Sequence, residues 1–581
     1  MTRMIHILKS HWGAIALALL ASIIVAAPQT YFRMEHRDLY QGQGMELIPD
    51  SPWSPRVREV MDGHPNLGSI YYKDGKSDPY LFQPMGSMAV AYLGMPFGLG
   101  INDTILLSRL VLTFMTVLLL YAFVYLLSRS TLAALSASAV ILLAEQILNA
   151  SGMLRFLQGT NPSTFLGISM PVNHAMIFIP LFGFLITFWL FYKKRLWWWG
   201  VMSAVLLGLN FYNYFYSWTY LYAFGGVLVL SLLLMRQWRE AVRVGSVFVG
   251  ALLVAIPYGL NLCQASQYSS YAEVSMRFGV VASHAPLFVG FVALIAILVF
   301  LLWFPREDRE RYLFGLAILL APLITMNQQL LTGKVMQVGH YHWYFHKPIA
   351  IIMVTVTLFY LLSRWRLDAY KKVLAACIIT VSITAGVFTQ AASYLHDATY
   401  GERAGVERQR YGPVMHWLSA NARPEEVALA NSDTSYLIAI YTPLNLFYHR
   451  AGYATLAATR ERLLDQLFTF YRLRGVSAGD ARKIFFEERK YISWNIYGIY
   501  YREVEGSYEA IPDDKIEETL ALYRTSLTTP APVWLKQKMT QYEVSYVVWD
   551  KKADPDWQLQ KYPFLKEAAM FGDIAIYRLV S

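Results

Sequence analysis

Eleven apolar segments divide the chain, and each is long enough or nearly long enough to cross a lipid bilayer. Short connections join them, with one exception: a polar insert from Pro28 to about Asn102 directly follows the first segment. A chain that only had to sit in a membrane would use short connections throughout, so an insert of about 70 residues predicts a functional loop. The segments are Trp12–Ala27, Ile105–Leu127, Leu132–Leu148, Ala175–Phe191, Leu196–Phe211, Trp218–Leu234, Val244–Leu260, Pro286–Phe304, Tyr312–Leu331, Pro348–Ser363 and Val373–Phe388.

The composition supports an integral membrane protein. Of the 581 residues, 56% are hydrophobic and 15% are charged, which is too little polar surface for a soluble globule of this size. The net charge of +10 does not indicate nucleic acid as a partner, because the basic residues are scattered among short connections and form no stripe. Cys263 and Cys377 lie in or beside apolar segments, so neither a disulfide framework nor a thiolate metal site is predicted.

The distribution of Lys and Arg predicts the orientation. With a cytoplasmic N-terminus, the inner connections hold 16 basic residues and the short outer connections hold four. This imbalance follows the positive-inside rule. The N-terminus resembles a signal peptide, and we expect an uncleaved signal-anchor in a bacterial-type cytoplasmic (inner) membrane. The long first loop, residues 28–102, and everything after Phe388 are therefore predicted to be extracytoplasmic.

Two domains are predicted. Residues 1–388 form an α-helical polytopic membrane module of about 11 transmembrane helices, which includes the first loop. Residues 389–581 form a soluble α/β domain, because helical stretches such as Ile511–Leu527 alternate with strand-like runs such as Val544–Trp549 and Ile574–Leu579. The Tyr-rich stretch Tyr491–Tyr501 suits either a carbohydrate groove or strand residues facing the domain's own core.

Polar groups at the predicted outer ends of the spans include acids, bases and amides, a mixture typical of a site. Arg109 and Glu145 lie in or at the edge of spans, where ionisable residues are functional or paired, and one interpretation pairs them with each other. His340, His342 and His346 lie just outside the tenth span. Three interpretations stay open for them: a metal site that lacks an obvious fourth ligand, contact with a lipid phosphate, or interfacial packing.

The first loop contains an acidic residue, Asp50, followed by a predicted amphipathic helix with Arg56 and Arg58 and by a basic patch with Lys73 and Lys76. This arrangement suits group transfer near a membrane surface. Here the sequence resembles the GT-C class of polytopic membrane glycosyltransferases and is similar to uncharacterised bacterial members. The resemblance covers the architecture of the whole chain and, at residue level, mainly Asp50 to Gln83.

The resemblance implies a polyprenyl-phosphate-linked sugar as donor, inversion at the anomeric carbon, and a first-loop carboxylate as base. Asp50 is the candidate base, with Glu35 and Asp38 as competitors. The leaving phosphate needs cations. The candidates for contact with the substrate or the lipid phosphate are Arg56, Arg109, Arg155, Arg277, Lys334, His340 and His342. The acceptor, a glycan, a lipid or a protein, stays open.

Two departures from familiar members narrow the prediction. The chain has no Trp-Trp-Asp triplet in its C-terminal part, which argues against protein N-glycosylation, and no Asp-x-Asp pair between Asn149 and Asn173. We therefore expect no cofactor and no metal, with a divalent cation as the open alternative. The rival functions are a transporter or flippase of lipid-linked saccharide, a surface-polysaccharide polymerase or ligase, and a scaffold that presents the C-terminal domain.

Overall fold

The protein is described here by a computed structural model that covers residues 2–45, 53–163, 165–287 and 291–580. The N-terminal part is a helical bundle with one two-stranded antiparallel sheet, which pairs β1 (Val280–Ala282) with β2 (Lys334–Met336). Its helices are α1 (Thr2–Glu35), α2 (Trp53–Met61), α3 (Met85–Gly94), α4 (Ile101–Ser128), α5 (Thr131–Leu143), α6 (Ala150–Leu157), α7 (Met176–Lys194), α8 (Trp197–Asn213), α9 (Phe215–Leu234), α10 (Trp238–Val254), α11 (Ile256–Ala265), α12 (Tyr271–Arg277), α13 (Phe291–Trp303), α14 (Arg309–Met326), α15 (Gln329–Thr332), α16 (Gly339–Tyr341), α17 (Lys347–Arg364) and α18 (Asp368–His396).

All eleven predicted apolar segments fall on helices, which confirms a polytopic α-helical membrane protein, but fewer of them qualify as spans. Within the described residues, six helices are long and apolar enough to cross a membrane, or seven if the bent pair α10 and α11 counts as one. The other segments fall on α5, α8, α13 and α14. The prediction accepted runs of about 16 residues, whereas a straight span needs about 20. By length and composition the described residues therefore support six or seven spans, and the prediction of about eleven stays a prediction for the shorter helices.

The two ends of the bundle differ in their polar contacts. At one end, the Asn213 side chain donates to the Met176 carbonyl at 2.7 Å, joining the C-terminus of α8 to the N-terminus of α7. At the opposite end, Lys193 pairs with Asp308 at 2.7 Å, and Arg195 lies 3.5 Å from Glu240. Successive long helices therefore alternate in direction. Lys193 and Arg195, which are predicted to be cytoplasmic, have acidic partners at the second end, while the assignment of that end to the cytoplasm stays a prediction.

Close approach of helices holds the bundle centre together. Gly225 of α9 lies against Phe248 of α10, and a Cβ at Gly225 would come within 2.2 Å of the Phe248 ring. Phe224 stacks edge-on against Phe188 and Phe314, with ring centroids 5.4 and 5.2 Å apart. Since lipid tails are as apolar as these side chains, tight packing of small and aromatic residues stabilises such a bundle.

The C-terminal part carries a five-stranded sheet in the order β4-β3-β5-β7-β6, with parallel pairs at β3 and antiparallel pairs at β7. Its strands are β3 (Val427–Leu429), β4 (Asn445–Leu446), β5 (Val544–Asp550), β6 (Leu565–Phe571) and β7 (Ile574–Leu579). Its helices are α19 (Glu402–Arg408), α20 (Gly412–Asn421), α21 (Ser432–Tyr441), α22 (Arg460–Leu473), α23 (Ala481–Glu487), α24 (Arg489–Tyr497), α25 (Tyr500–Glu505), α26 (Asp513–Ser526) and α27 (Ala531–Gln541).

The predicted elements of this part are confirmed, with one correction. Strands β5 and β7 and helix α26 match the predicted strand-like runs and helical stretch. The Tyr-rich stretch Tyr491–Tyr501 forms helices α24 and α25 and no strand, and its Tyr497 and Tyr501 are buried against the domain core. The division of the chain at residue 388 stays a prediction; α18 passes through that position and ends at His396.

The first loop lies between the bundle and the C-terminal part. The Leu446 amide donates to the Tyr71 carbonyl at 2.7 Å, and the Thr455 hydroxyl donates to the Gly68 carbonyl at 3.0 Å. Arg462 of α22 pairs with Asp74 at 2.7 Å. These contacts join residues far apart in the chain, so the first loop and the C-terminal part share one end of the bundle.

Candidate functional site

A cavity of about 400 Å³ lies at the end of the bundle that carries the first loop. Its walls come from the turn after α5, from the segment that precedes α7, and from a π-helical turn, His342–His346, that leads into α17. We name it the mouth cavity. It is lined by Glu145, Gln146, Asn149, Pro162, Ser163, Phe165, Gly167, Met170, His174, His340, Trp343, Tyr344 and Lys347.

Glu145 and Lys347 form the charged centre of the mouth cavity. Helix α5 ends at Leu143, and the chain turns into a 3₁₀ helix that starts at Glu145. The Lys347 Nζ donates to the Glu145 carbonyl at 2.6 Å and lies 3.8 Å from its Oε2. Ionisable groups this deep in a membrane protein are costly unless they are paired or functional. The structure thus pairs Glu145 with Lys347, where one interpretation of the sequence paired it with Arg109.

Gly167 brings a histidine to the same carboxylate. A Cβ at Gly167 would lie 2.5 Å from the His174 Nε2 and 2.8 Å from the Glu145 Oε1. Both polar atoms therefore face one small volume that only a glycine leaves open. His174 is buried, and its ring lies 4.6 Å from the Tyr344 ring. The mouth cavity can thus present a carboxylate and an imidazole to one reacting group.

His340, a predicted phosphate contact, lines the same cavity. Its Nδ1 is hydrogen-bonded to the Tyr214 hydroxyl, and its ring stacks on Tyr216 with centroids 4.7 Å apart. The Lys347 Nζ lies 4.9 Å from the half-exposed Trp343 ring. Aromatic side chains therefore hold His340 and Lys347 in place, and both could donate hydrogen bonds to a phosphate. A preorganised site keeps its geometry in this way.

Arg109 does not line the mouth cavity, but it contacts the segment that forms one of its walls. Its Nη1 donates to the Gln29 side chain at 2.7 Å, and its Nε donates to the Ser169 carbonyl at 3.1 Å. The guanidinium therefore ties α1 to the segment that carries Gly167. In this structure Arg109 positions the cavity wall.

The three predicted base candidates lie elsewhere. Asp50 lies outside the residues that the structure describes. Glu35 is the last residue of α1 and is exposed, and its Oε2 accepts a hydrogen bond from the Tyr394 hydroxyl at 2.6 Å. Asp38 is exposed in the turn that follows. Neither Glu35 nor Asp38 lines the mouth cavity.

The other predicted phosphate contacts occupy varied environments. Arg277 is buried and donates to backbone carbonyls of the C-terminal part, whereas Arg155 on α6 and Lys334 on β2 are exposed. His342 is half-buried in the π-helical turn beside the cavity. Of the predicted site residues within the described ranges, His340 alone lines the mouth cavity.

Arg56 in α2 is an unusual arginine. It is 1% exposed, and its guanidinium carbon lies 3.8 Å from the Phe82 ring centroid and 4.8 Å from that of Trp53. Among the described residues, its Nε and Nη2 have no hydrogen-bond partner. Burial lowers the pKa of Arg56 to about 10. A buried cation whose nitrogens lack hydrogen bonds is costly, and an anion that reached Nε and Nη2 would offset that cost.

A second polar cavity, of about 340 Å³, lies between the first loop and the C-terminal part and is lined by residues of both. It contains Glu59, which is 7% exposed and accepts a hydrogen bond from the Lys76 Nζ at 2.6 Å. Burial raises the pKa of Glu59 to about 7, although the Lys76 charge opposes the change. Sequence reasoning missed Glu59, although its three-residue spacing from Arg56 places both on one face of α2.

Sequence reasoning also left Lys347 out of the site. A signal was present: Lys347 directly precedes the predicted span Pro348–Ser363, and an ionisable residue at the edge of a span is usually paired or functional. His174 belongs to the polar groups at the predicted outer ends of the spans, but its proximity to Glu145 depends on the chain path at Gly167.

No protein-family model matches the chain, and no curated protein matches it. One solved structure that resembles it is the crystal structure of ArnT from Cupriavidus metallidurans bound to undecaprenyl phosphate. The two structures give a TM-score of 0.46 at 10% sequence identity, and the alignment covers 98% of each chain. At this level of similarity, the function has to be argued from the chain's own residues.

Proposed function

We propose that the chain is a membrane glycosyltransferase of the GT-C type, which moves a sugar from a polyprenyl-phosphate carrier to an acceptor at the mouth cavity. The observation that carries the proposal is the cavity's content: a carboxylate, two histidines and a lysine gathered where the bundle meets the loops. The resemblance of Asp50 to Gln83 to this class supports the choice of donor. The acceptor is a glycan, a lipid or a protein.

Lys347 and His340 are suited to hold the donor phosphate. A lysine ammonium binds phosphate oxygens as a point charge, and an imidazole adds a directed hydrogen bond. The volume of about 400 Å³ lies within the range of small-molecule sites and has room for a phosphate and a sugar ring. Arg56, with two unpaired nitrogens, is a further anion contact in the first loop.

Helix α6 is suited to guide the polyprenyl tail. It begins directly after Asn149, which lines the mouth cavity, and exposes Met153, Leu154 and Leu157. A short helix with one apolar face and a basic residue, here Arg155, is typical of a segment that lies in the membrane interface. The lipid chain of a donor bound at the cavity would therefore leave along an apolar surface.

The proposed reaction is a single displacement. A carboxylate takes the proton from the acceptor's hydroxyl or amide, the acceptor atom attacks the anomeric carbon, and the polyprenyl phosphate leaves with the electron pair of the broken C–O bond. One displacement inverts the anomeric centre. Asp50 of the first loop is the proposed base, with Glu35 and Asp38 as its competitors, and Glu145 is the carboxylate already in the cavity.

The test is release of polyprenyl phosphate by the purified protein in lipid nanodiscs, with a panel of polyprenyl-phosphate sugars as donors. Asp50→Asn, Glu35→Gln and Glu145→Gln are compared with wild type after each variant is shown to be folded. We expect one variant to lose about 10²–10⁴-fold in rate, as removal of a general base does. If wild type consumes no donor, or if all three variants match it, the carboxylate mechanism is refuted.

One observation favours the transporter or flippase as a second candidate. Helices α10 and α11 are bent by 52° at the break near Ala255, and broken helices are typical of transporters. In sealed proteoliposomes, a flippase would move a labelled lipid-linked saccharide across the bilayer without releasing polyprenyl phosphate. A polymerase or ligase would release the carrier and differ only in its acceptor.

A further inference from the structure

Three side chains with metal-binding atoms meet where the bundle joins the C-terminal part. Glu35 and His36 come from the end of α1, and Glu402 comes from the first turn of α19. One ligand atom from each lies within 4.8 Å of the others. The His36 Nε2 is 3.0 Å from the Glu402 Oε1. The cluster therefore brings a nitrogen and two carboxylates from opposite parts of the chain to one point.

The charges of this cluster are poorly balanced. Within the described residues, no lysine or arginine forms an ion pair with Glu35 or Glu402. The nearby Arg33 instead pairs with Asp103. Two carboxylates a few ångströms apart repel each other, and a cation between them would offset that repulsion.

The neighbouring tyrosine fits a metal site as well. The Tyr394 hydroxyl donates to the Glu35 Oε2 at 2.6 Å. A hydrogen bond of this kind fixes the orientation of a ligating carboxylate and leaves its second oxygen available. The His36 ring packs at 5.0 Å against the buried Phe32, which limits its rotation. Residues outside the cluster thus restrict the orientation of two of the three potential ligands, Glu35 and His36.

We propose that Glu35, His36 and Glu402 bind one divalent transition-metal ion, with Zn²⁺ as the best fit and water completing its coordination. One imidazole and two carboxylates form a ligand set that zinc accepts. At bond lengths of about 2.1 Å, tetrahedral ligand atoms lie roughly 3.4 Å apart. The present separations, 3.0 Å for one pair and up to 4.8 Å overall, need only small side-chain rotations because Glu35 is exposed.

The ion would act as a clamp between α1 and α19. It would tie the start of the first loop to the start of the C-terminal part, beside the small apolar cluster of Phe32, Met45 and Tyr394. Phe165 packs on that cluster and also lines the mouth cavity. The clamp is a structural site outside the cavity, and the proposal does not depend on glycosyl transfer.

The test measures metal binding by the tag-free full chain in nanodiscs, without any donor. After treatment with a chelator, the protein is titrated with Zn²⁺ against a fluorescent zinc indicator, and bound zinc is counted by mass spectrometry. His36→Gln and Glu402→Gln remove single ligands. Glu407→Gln, an exposed glutamate on the same helix, is the matched control. Co²⁺ absorption of wild type reports the coordination geometry.

We expect one zinc per wild-type and Glu407→Gln chain, at least a tenfold loss of affinity in His36→Gln and Glu402→Gln, and a tetrahedral Co²⁺ spectrum. The alternative is that a protonated His36 bridges the two carboxylates without metal. Absence of stoichiometric zinc in wild type, or wild-type affinity in both ligand variants, would overturn the proposal. Because no donor is present, failure here is separate from failure of the proposed transferase activity.

Discussion

Replacing Arg277 by methionine tests how the C-terminal part is attached to the bundle. Arg277 ends α12 and is 1% exposed. Its Nε donates to the Ile496 carbonyl at 3.1 Å, its Nη1 donates to the Ala458 carbonyl, and its Nη2 pairs with Glu273 at 2.8 Å. Methionine keeps much of the side-chain volume but leaves both carbonyls without these donors. The variant therefore removes the hydrogen bonds by which Arg277 joins α12 to the C-terminal part.

The expected loss follows from these three contacts. A hydrogen bond to a charged group contributes about 1.5–3 kcal/mol, so the two carbonyl bonds together contribute roughly 3–6 kcal/mol. The Glu273 carboxylate is 46% exposed, and an ion pair of that kind adds little. Since 1.4 kcal/mol is a factor of ten, local opening should become on the order of 10²–10⁴-fold more frequent.

Hydrogen exchange of the Ile499 amide is the assay, because this amide donates to the Arg277 carbonyl at 3.0 Å. Protection of the peptide that contains Ile499 should fall by that factor in Arg277→Met. Arg155→Met is the control, since Arg155 is an exposed arginine on α6 and should leave protection unchanged. Unchanged protection in Arg277→Met together with lower donor turnover would refute the structural role and restore the predicted phosphate contact.

Two further predictions concern the polar cavities. Burial raises the pKa of the folded Glu59 carboxyl from its ordinary value of 4.5 to about 7. Between these two values the folded protein binds more protons than the unfolded chain, so its stability falls as pH rises through that window. Glu59→Gln should therefore be about 1–3 kcal/mol more stable than wild type at pH 8 and equal to it near pH 4. Thermal unfolding in nanodiscs measures this difference, and equal stability at pH 8 would contradict the prediction. Lys347→Met should raise the donor KM at least tenfold because it removes a cation that binds the donor phosphate, and Lys347→Arg should partly restore the KM. A fall in stability with an unchanged KM would assign Lys347 a purely structural role.

The sequence predicts best what depends on neighbours along the chain. All eleven apolar segments fall on helices because hydrophobic runs report membrane burial directly. Strands β5 and β7 were equally visible, because β-branched and aromatic residues fill them. Only six or seven helices of the described residues pass a test of span length and composition, because the length of a helix depends on where the chain turns, as α5 does after Leu143.

The candidate site depends on contacts between distant residues, which a single sequence does not reveal. Glu145 and Lys347 are 202 positions apart, and the bundle alone brings them together. Arg155 and Arg277 were equivalent candidates in the sequence, yet the first is exposed and the second is buried under residues more than 180 positions away. Burial of a charged residue follows from the tertiary fold, so residue type and spacing did not separate these two arginines.

The position of the first loop bears on the choice between an enzyme and a scaffold. A scaffold that only presents its C-terminal part has no need to bury charged groups of the first loop beneath it. Here Glu59 is enclosed between the loop and that part, and the buried Arg462 of that part pairs with the exposed Asp74 of the loop. Such groups lose hydration on burial and are retained where they are paired or functional. The C-terminal part therefore closes over the first loop, an arrangement that serves a reaction chamber better than a display platform.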